Sequence, residues 1–84
     1  MPGEGQRAAD RREEAEAVPR FAAAIKARRE ASRWSQGQVG YRAGLDAAEV
    51  SRLERGKREP RLRTIIRIAR GLGVEPAELM KDLR

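Results

Sequence analysis

An 84-residue chain has room for one domain and one modest core. It contains neither cysteine nor histidine, which excludes a disulfide framework, the usual zinc and copper sites, a thiol nucleophile and the commonest general base, so neither enzyme nor cofactor is expected. The net charge of +6 points to a polyanion such as DNA, RNA or an acidic membrane surface. With no apolar run near the roughly 18 residues of a membrane span and no signal-peptide core, a cytoplasmic protein free of membrane is expected.

Charge is unevenly placed. Residues 1–20 hold four arginines against five acidic residues, so the excess of positive charge lies in the remainder. Residues 1–19 have almost no large apolar side chain. They cannot bury enough surface to offset their ordering entropy and read as a mobile charged tail. Gln6 to Ala17 are good helix formers, which gives that tail transient helicity at most. The folded domain is therefore drawn over residues 20–84.

From Arg20 onward the pattern is helical, with no strand-like alternation. Phe21, Ile25 and the stem of Arg28 recur at helical spacing and predict a first helix over about Arg20 to Ser32. Ser35 and Gln38 then form a capping box, and Trp34 with Val39 supplies the accompanying staple. A second helix follows from Gln36 to about Ala43, stopped by Gly44. The same grammar repeats at once. Leu45, Asp46, Glu49 and Val50 repeat staple, cap, box and staple, so a third helix starts at Ala47 with Val50 and Leu53 inward and Gly56 closing it. A basic loop over residues 57–60 leads to a fourth helix, with Leu62, Ile65, Ile66, Ala69 and Leu72 on one face and Gly73 as its stop. Pro76 opens a short fifth helix at a first-turn position, with Leu79, Met80 and Leu83 apolar.

Two short helices across a glycine-containing turn form the helix-turn-helix arrangement. Gly37, Gly40 and Ala43 allow a close crossing, and the third helix exposes Ala48, Glu49, Ser51, Arg52 and Arg55, a mixed polar face suited to base edges. The run from Trp34-Ser35-Gln36 through Gly44, then Val50-Ser51-Arg52-Leu53-Glu54-Arg55-Gly56, Pro60 and Ile68 to Val74 resembles the phage repressor and Cro-like family, also called XRE. The similarity covers about Phe21 to Leu83. It implies an all-α, five-helix domain of the lambda-repressor-like type that binds double-stranded operator DNA as a symmetric homodimer and regulates transcription, as a repressor that occludes a promoter. By the same resemblance Gln36 contacts a phosphate, Ala47, Ala48 and Glu49 meet bases with Arg52 one turn on, Lys57 and Arg58 meet the backbone, and Arg29 pairs with Glu54.

The residues carry their own arguments. Arginine forks onto guanine in the major groove, which makes Arg52 the best single base reader. Glu49 has a cytosine N4 to accept from, yet its capping-box role toward Asp46 competes. Ala47 and Ala48 suit thymine methyls or simple close approach. Arg61 sits where a cap is expected, and a cation there opposes the helix dipole by about 0.3–1 kcal/mol; a DNA phosphate explains its presence. Arg55 and Tyr41 are further backbone candidates, while Arg67 and Arg70 read as solvated surface. Trp34 reads as core packing rather than base stacking.

The chain departs from the family pattern at four places: Arg28 where leucine is common, Gly40 where alanine is commoner, at up to about 1 kcal/mol of helix propensity, Arg61 where a serine or aspartate cap is frequent, and, most consequentially, Ala47 and Ala48 where many relatives carry longer polar residues. The alternatives are an antitoxin with a toxin partner, a restriction-modification controller, and an adaptor that kept the fold and lost DNA binding, for which the two alanines at reading positions are the support.

Overall fold

The computed structural model describes residues 3–83. Among them are five α-helices, α1 (Glu4–Ala31), α2 (Gln36–Ala43), α3 (Ala47–Arg55), α4 (Leu62–Leu72) and α5 (Pro76–Met80), and a 3-10 turn over Lys81–Leu83. No helix of the described residues is long and apolar enough to cross a membrane.

The starts of α2 and α3 and the stops of α2, α3 and α4 are set by local chemistry. Ser35 Oγ accepts from the Gln38 amide at 3.0 Å, and Gln38 Oε1 accepts in return from the Ser35 amide at 2.7 Å. This reciprocal box satisfies two of the donors every helix start leaves open. Gly44, Gly56 and Gly73 all lie in the left-handed region, with φ of 73°, 63° and 74°, where a side chain is costly. The first helix ends on a less favourable residue. Arg33, at φ 58°, occupies the left-handed position just past Ser32, and nothing in its composition marks it for that role.

The core is built from one apolar stripe of each helix. Phe21, Ile25, Val39, Val50, Ile68 and Leu79 are buried with Ala43, Ala69 and Leu72, and Trp34, Leu45, Leu53, Ile65, Val74 and Leu83 pack half-buried against them. Close crossings make it possible. A Cβ on Gly71 would lie 2.7 Å from the Ala43 Cβ, so α4 runs against α2 with nothing between. A Cβ on Gly40 would lie 2.6 Å from the Leu45 carbonyl oxygen, so the glycine that weakens α2 lets the turn into α3 fold back onto it. Gly37 has no comparable neighbour; only Ser35 Oγ comes within reach, at 3.8 Å. Trp34 lies against the core with the Arg42 guanidinium 4.2 Å over its ring, and Arg42 Nε donates to the Gly71 carbonyl at 2.7 Å.

Several expectations are corrected. The first helix begins at Glu4 rather than near Arg20, so the boundary drawn at residue 19 falls inside a 28-residue helix. At 1.5 Å per residue α1 is about 42 Å long, which accounts for the 46 Å long axis of the molecule. Its first three turns carry no buried side chain. They rest on helix propensity and on local pairs such as Gln6 Nε2 to Asp10 Oδ1, 2.9 Å, and the turns that follow add Arg20 to Glu16, 2.7 Å. Pro19 lies within the helix, where it removes one backbone donor. Its Cα also faces Gly56, whose Cβ position lies 3.2 Å away, so the end of α3 packs on this part of α1.

Leu62 and Ile66, expected on the inward face of α4, are 73% and 48% exposed. They are one turn apart at the edge of a stripe wider than the surface it lies on. Leu79, expected at an apolar end, is fully buried, and Met80 beside it is exposed. Arg28, where a leucine would bury, lies 3.5 Å from Glu78 on α5, replacing an apolar contact with a surface ion pair.

Candidate nucleic-acid interface

Three separate contacts fix the attitude of α3. At its start Asp46 Oδ1 accepts from the Glu49 amide at 2.7 Å. At its end Gly56 packs on α1. Between them Glu54 is 5% exposed and clamped by Arg29, which is 14% exposed. Arg29 Nε donates to Glu54 Oε2 at 2.6 Å, and Nη2 donates to Oε1 at 2.9 Å. This planar, two-bond fork is the strong form of the arginine–carboxylate pair. The third guanidinium nitrogen donates to the Trp34 carbonyl at 2.9 Å. Glu54 holds the Arg29 guanidinium above the ordinary arginine range by that hydrogen bonding. One ion pair therefore ties α1, the turn before α2, and α3.

Gln36 joins the same clamp. Its Nε2 donates to Glu54 Oε1 at 3.2 Å, so the side chain expected at a phosphate is engaged inside the fold, with its amide directed to the pair. Its backbone N–H remains in the first turn of α2, where such groups point at anions.

The outer surface of α3 is formed by Ala47, Ala48 and Arg52, all exposed, with half-buried Glu49 beside them. The capping box expected here is only half formed. Asp46 caps the helix, but the Glu49 carboxylate turns to Arg52 instead of back to the Asp46 amide: Arg52 Nη2 donates to Glu49 Oε2 at 2.8 Å. That hydrogen bond raises the Arg52 guanidinium above its ordinary range.

Around this surface the backbone candidates are exposed. Arg55 ends α3, Lys57 and Arg58 lie in the loop, and Arg61 precedes α4 with no side-chain cap bond. Tyr41 on α2 is 89% exposed. An open cleft between α3 and α4 is lined by Arg52, Arg58, Arg61, Arg63 and Arg67, with Glu49 and Glu59 as its acids. Arg63 was not singled out by sequence, and Arg67, read there as solvated surface, lines the cleft. Their four-residue spacing places them on one flank of α4, but only the lie of α4 beside α3 reveals that this flank faces Arg52 and Glu49. Arg70 does not line the cleft.

The family described as a helix-turn-helix domain matches residues 20–81. An uncharacterized HTH-type transcriptional regulator of Sinorhizobium fredii is 38% identical over 64 residues, covering 71% of this chain and 33% of that protein. One of Mycobacterium tuberculosis is 39% identical over 54 residues, covering 64% of this chain and 21% of that protein. The chain thus spans a third or less of the length of these relatives.

Among solved structures, the restriction-modification controller protein C.AhdI from Aeromonas hydrophila superposes with a TM-score of 0.70 at 34% identity, covering 74% of this chain and 94% of that one. The controller protein C.Esp1396I gives a TM-score of 0.72 at 24% identity, covering 80% and 87%, a likeness of fold.

Proposed function

The chain belongs to the helix-turn-helix domain family, and from that premise we propose that it is a sequence-specific, double-stranded-DNA-binding regulator of transcription. It acts in the cytoplasm, on a short two-fold-repeated site, as a homodimer that represses by occluding a promoter. The observation that carries this reading is α3: clamped by Arg29–Glu54, capped at both ends, and presenting Ala47, Ala48, Glu49 and Arg52 with no task in the core. A helix fixed this firmly on its inner side while bare on its outer side suits insertion into a groove.

The cations sort by position. Arg52 projects from the helix toward base edges. Lys57, Arg58 and Arg61 flank it and meet phosphates, with Arg55, Tyr41 and the start of α2 at Gln36 completing the grip. Arg63 and Arg67 extend that surface along α4. Backbone contacts of this kind set position and affinity, and base contacts set sequence. Exposed Leu62, Ile66 and Met80 offer apolar surface for a second copy, which a domain of this size gains stability by covering.

A second reading is favoured by one observation, the 34% identity to C.AhdI over 94% of that chain: the regulated genes belong to a restriction-modification system. An antitoxin role, with a toxin as partner, is the remaining form of the same activity. A nuclease or toxin gene alongside decides between them.

The test is selection of bound sequences from random duplex DNA, followed by sedimentation on the selected site. The expected result is a repeated motif with half-sites about 34 Å apart and two chains per site. Absence of any enriched sequence sinks the reading and favours an adaptor role. A one-to-one complex on a non-repeating site removes the dimer.

A further inference from the structure

We infer that Glu49 is a positioning residue for Arg52: its carboxylate aims the guanidinium that reads the base, and Glu49 reads no base of its own. This rests on the proposed DNA-reading role of α3.

Glu49 has two local partners within reach, the Asp46 amide behind it and Arg52 one turn ahead. It takes the second, Oε2 to Nη2 at 2.8 Å, and residues three apart on a helix are neighbours. Its own amide is held by Asp46 at 2.7 Å, so the backbone that carries the carboxylate is fixed. Arg52 is long and 59% exposed, and among the described residues Glu49 is the group its side chain hydrogen-bonds. That contact therefore gives the guanidinium a preferred direction.

The contact leaves the reading edge open. A guanidinium has five N–H donors, and Glu49 takes one of them. The second hydrogen on Nη2 and those on Nη1 remain free for the fork onto guanine O6 and N7. Ala47 and Ala48 have no polar atoms beyond the backbone, so the aim of this one side chain bears most of the hydrogen-bonding choice.

The pairing also explains how a carboxylate is tolerated on a surface meant for phosphates. Neutralised by Arg52, it repels the DNA less than a free acid does. In water an exposed pair is worth little. Between protein and DNA, with solvent displaced, the same pair strengthens. Its effect therefore falls on discrimination and not on the stability of the free domain.

The experiment compares wild type, Glu49→Gln, Arg52→Ala and the double variant on the selected site, its single-base variants and random duplex, with melting temperatures as the check on folding. Arg52 is expected to discriminate by about tenfold at one position per half-site. In Glu49→Gln most of that discrimination is lost at the same position, while binding to random duplex tightens because an anion has left the DNA-facing surface. The double variant discriminates no worse than Arg52→Ala alone. The inference is overturned if Glu49→Gln keeps its discrimination, if it relaxes a different base pair, or if the two losses add. A wild type without base preference overturns the DNA-reading role of α3 itself, and the inference falls with it; preference present in wild type but untouched in Glu49→Gln overturns the inference alone.

Discussion

Arg29 and Glu54 are the residues on which the pose of α3 depends. Both are half-buried, and each is the other's charge partner. Removing Glu54 leaves a half-buried guanidinium uncompensated, a loss toward the lower end of the about 3–5 kcal/mol of a fully buried pair. That is a large part of the stability of any small domain. Glu54→Ala is therefore expected to lower Tm by more than about 12 °C at about 4–8 °C per kcal/mol. A melt within about 3 °C of the parent contradicts the clamp. Arg52 and Lys57 are expected to behave differently from each other. Arg52→Ala relaxes base choice at one position per half-site, because groove edges differ between base pairs. Lys57→Ala weakens every duplex equally and makes the salt slope shallower by about one per copy lost, because phosphates are the same everywhere. Equal weakening of all sequences by Arg52→Ala, with preferences unchanged, makes Arg52 a backbone contact and leaves specificity to the alanine contacts or DNA shape.

At the level of elements, Gly40 carries the turn between α2 and α3. By helix propensity alone Gly40→Ala stabilises by up to about 1 kcal/mol. The Leu45 carbonyl, 2.6 Å from the new Cβ, must move instead, and overpacking of this kind costs about 1–3 kcal/mol. Gly40→Ala is expected to lower Tm by several degrees and to weaken duplex binding, since the turn aims α3. A rise in Tm contradicts the close crossing. The starts of α2 and α3 and the stops of α2, α3 and α4 were legible because their caps and stops are written within a few residues: Ser35 with Gln38, Asp46 with Glu49, and the three glycines. The start of α1 was not. Its first turns are charged helix formers with no apolar period, and Pro19 reads as a beginning when it lies inside. The exposure of Leu62 and Ile66 was equally hidden, because an apolar stripe does not say how much of its width the core covers. The exposed outer face of α3, Ala47, Ala48 and Arg52, was legible from the repeated cap grammar. The side-chain choice of Glu49 was not, since both of its partners stand at helical spacing. The arginine cleft depends on how α3 and α4 lie together, which no local pattern carries.

At the scale of the whole molecule, positive charge and shape coincide. The net +6 is concentrated after residue 20, and its densest part, five arginines around one cleft, adjoins the helix proposed to read bases. An assembly of this kind binds by displacing counterions, so affinity must fall steeply as salt rises. A dimer in which each subunit neutralises about five phosphates gives log K against log salt a slope near −9. A single subunit gives about half that. The measurement that bears most directly on the proposed function is therefore binding of the intact chain to its selected duplex across a range of salt concentrations. A slope near −9, with the selected site preferred over random duplex at every salt, is the predicted result. A slope shallower than about −3, or one without preference for any sequence, contradicts it.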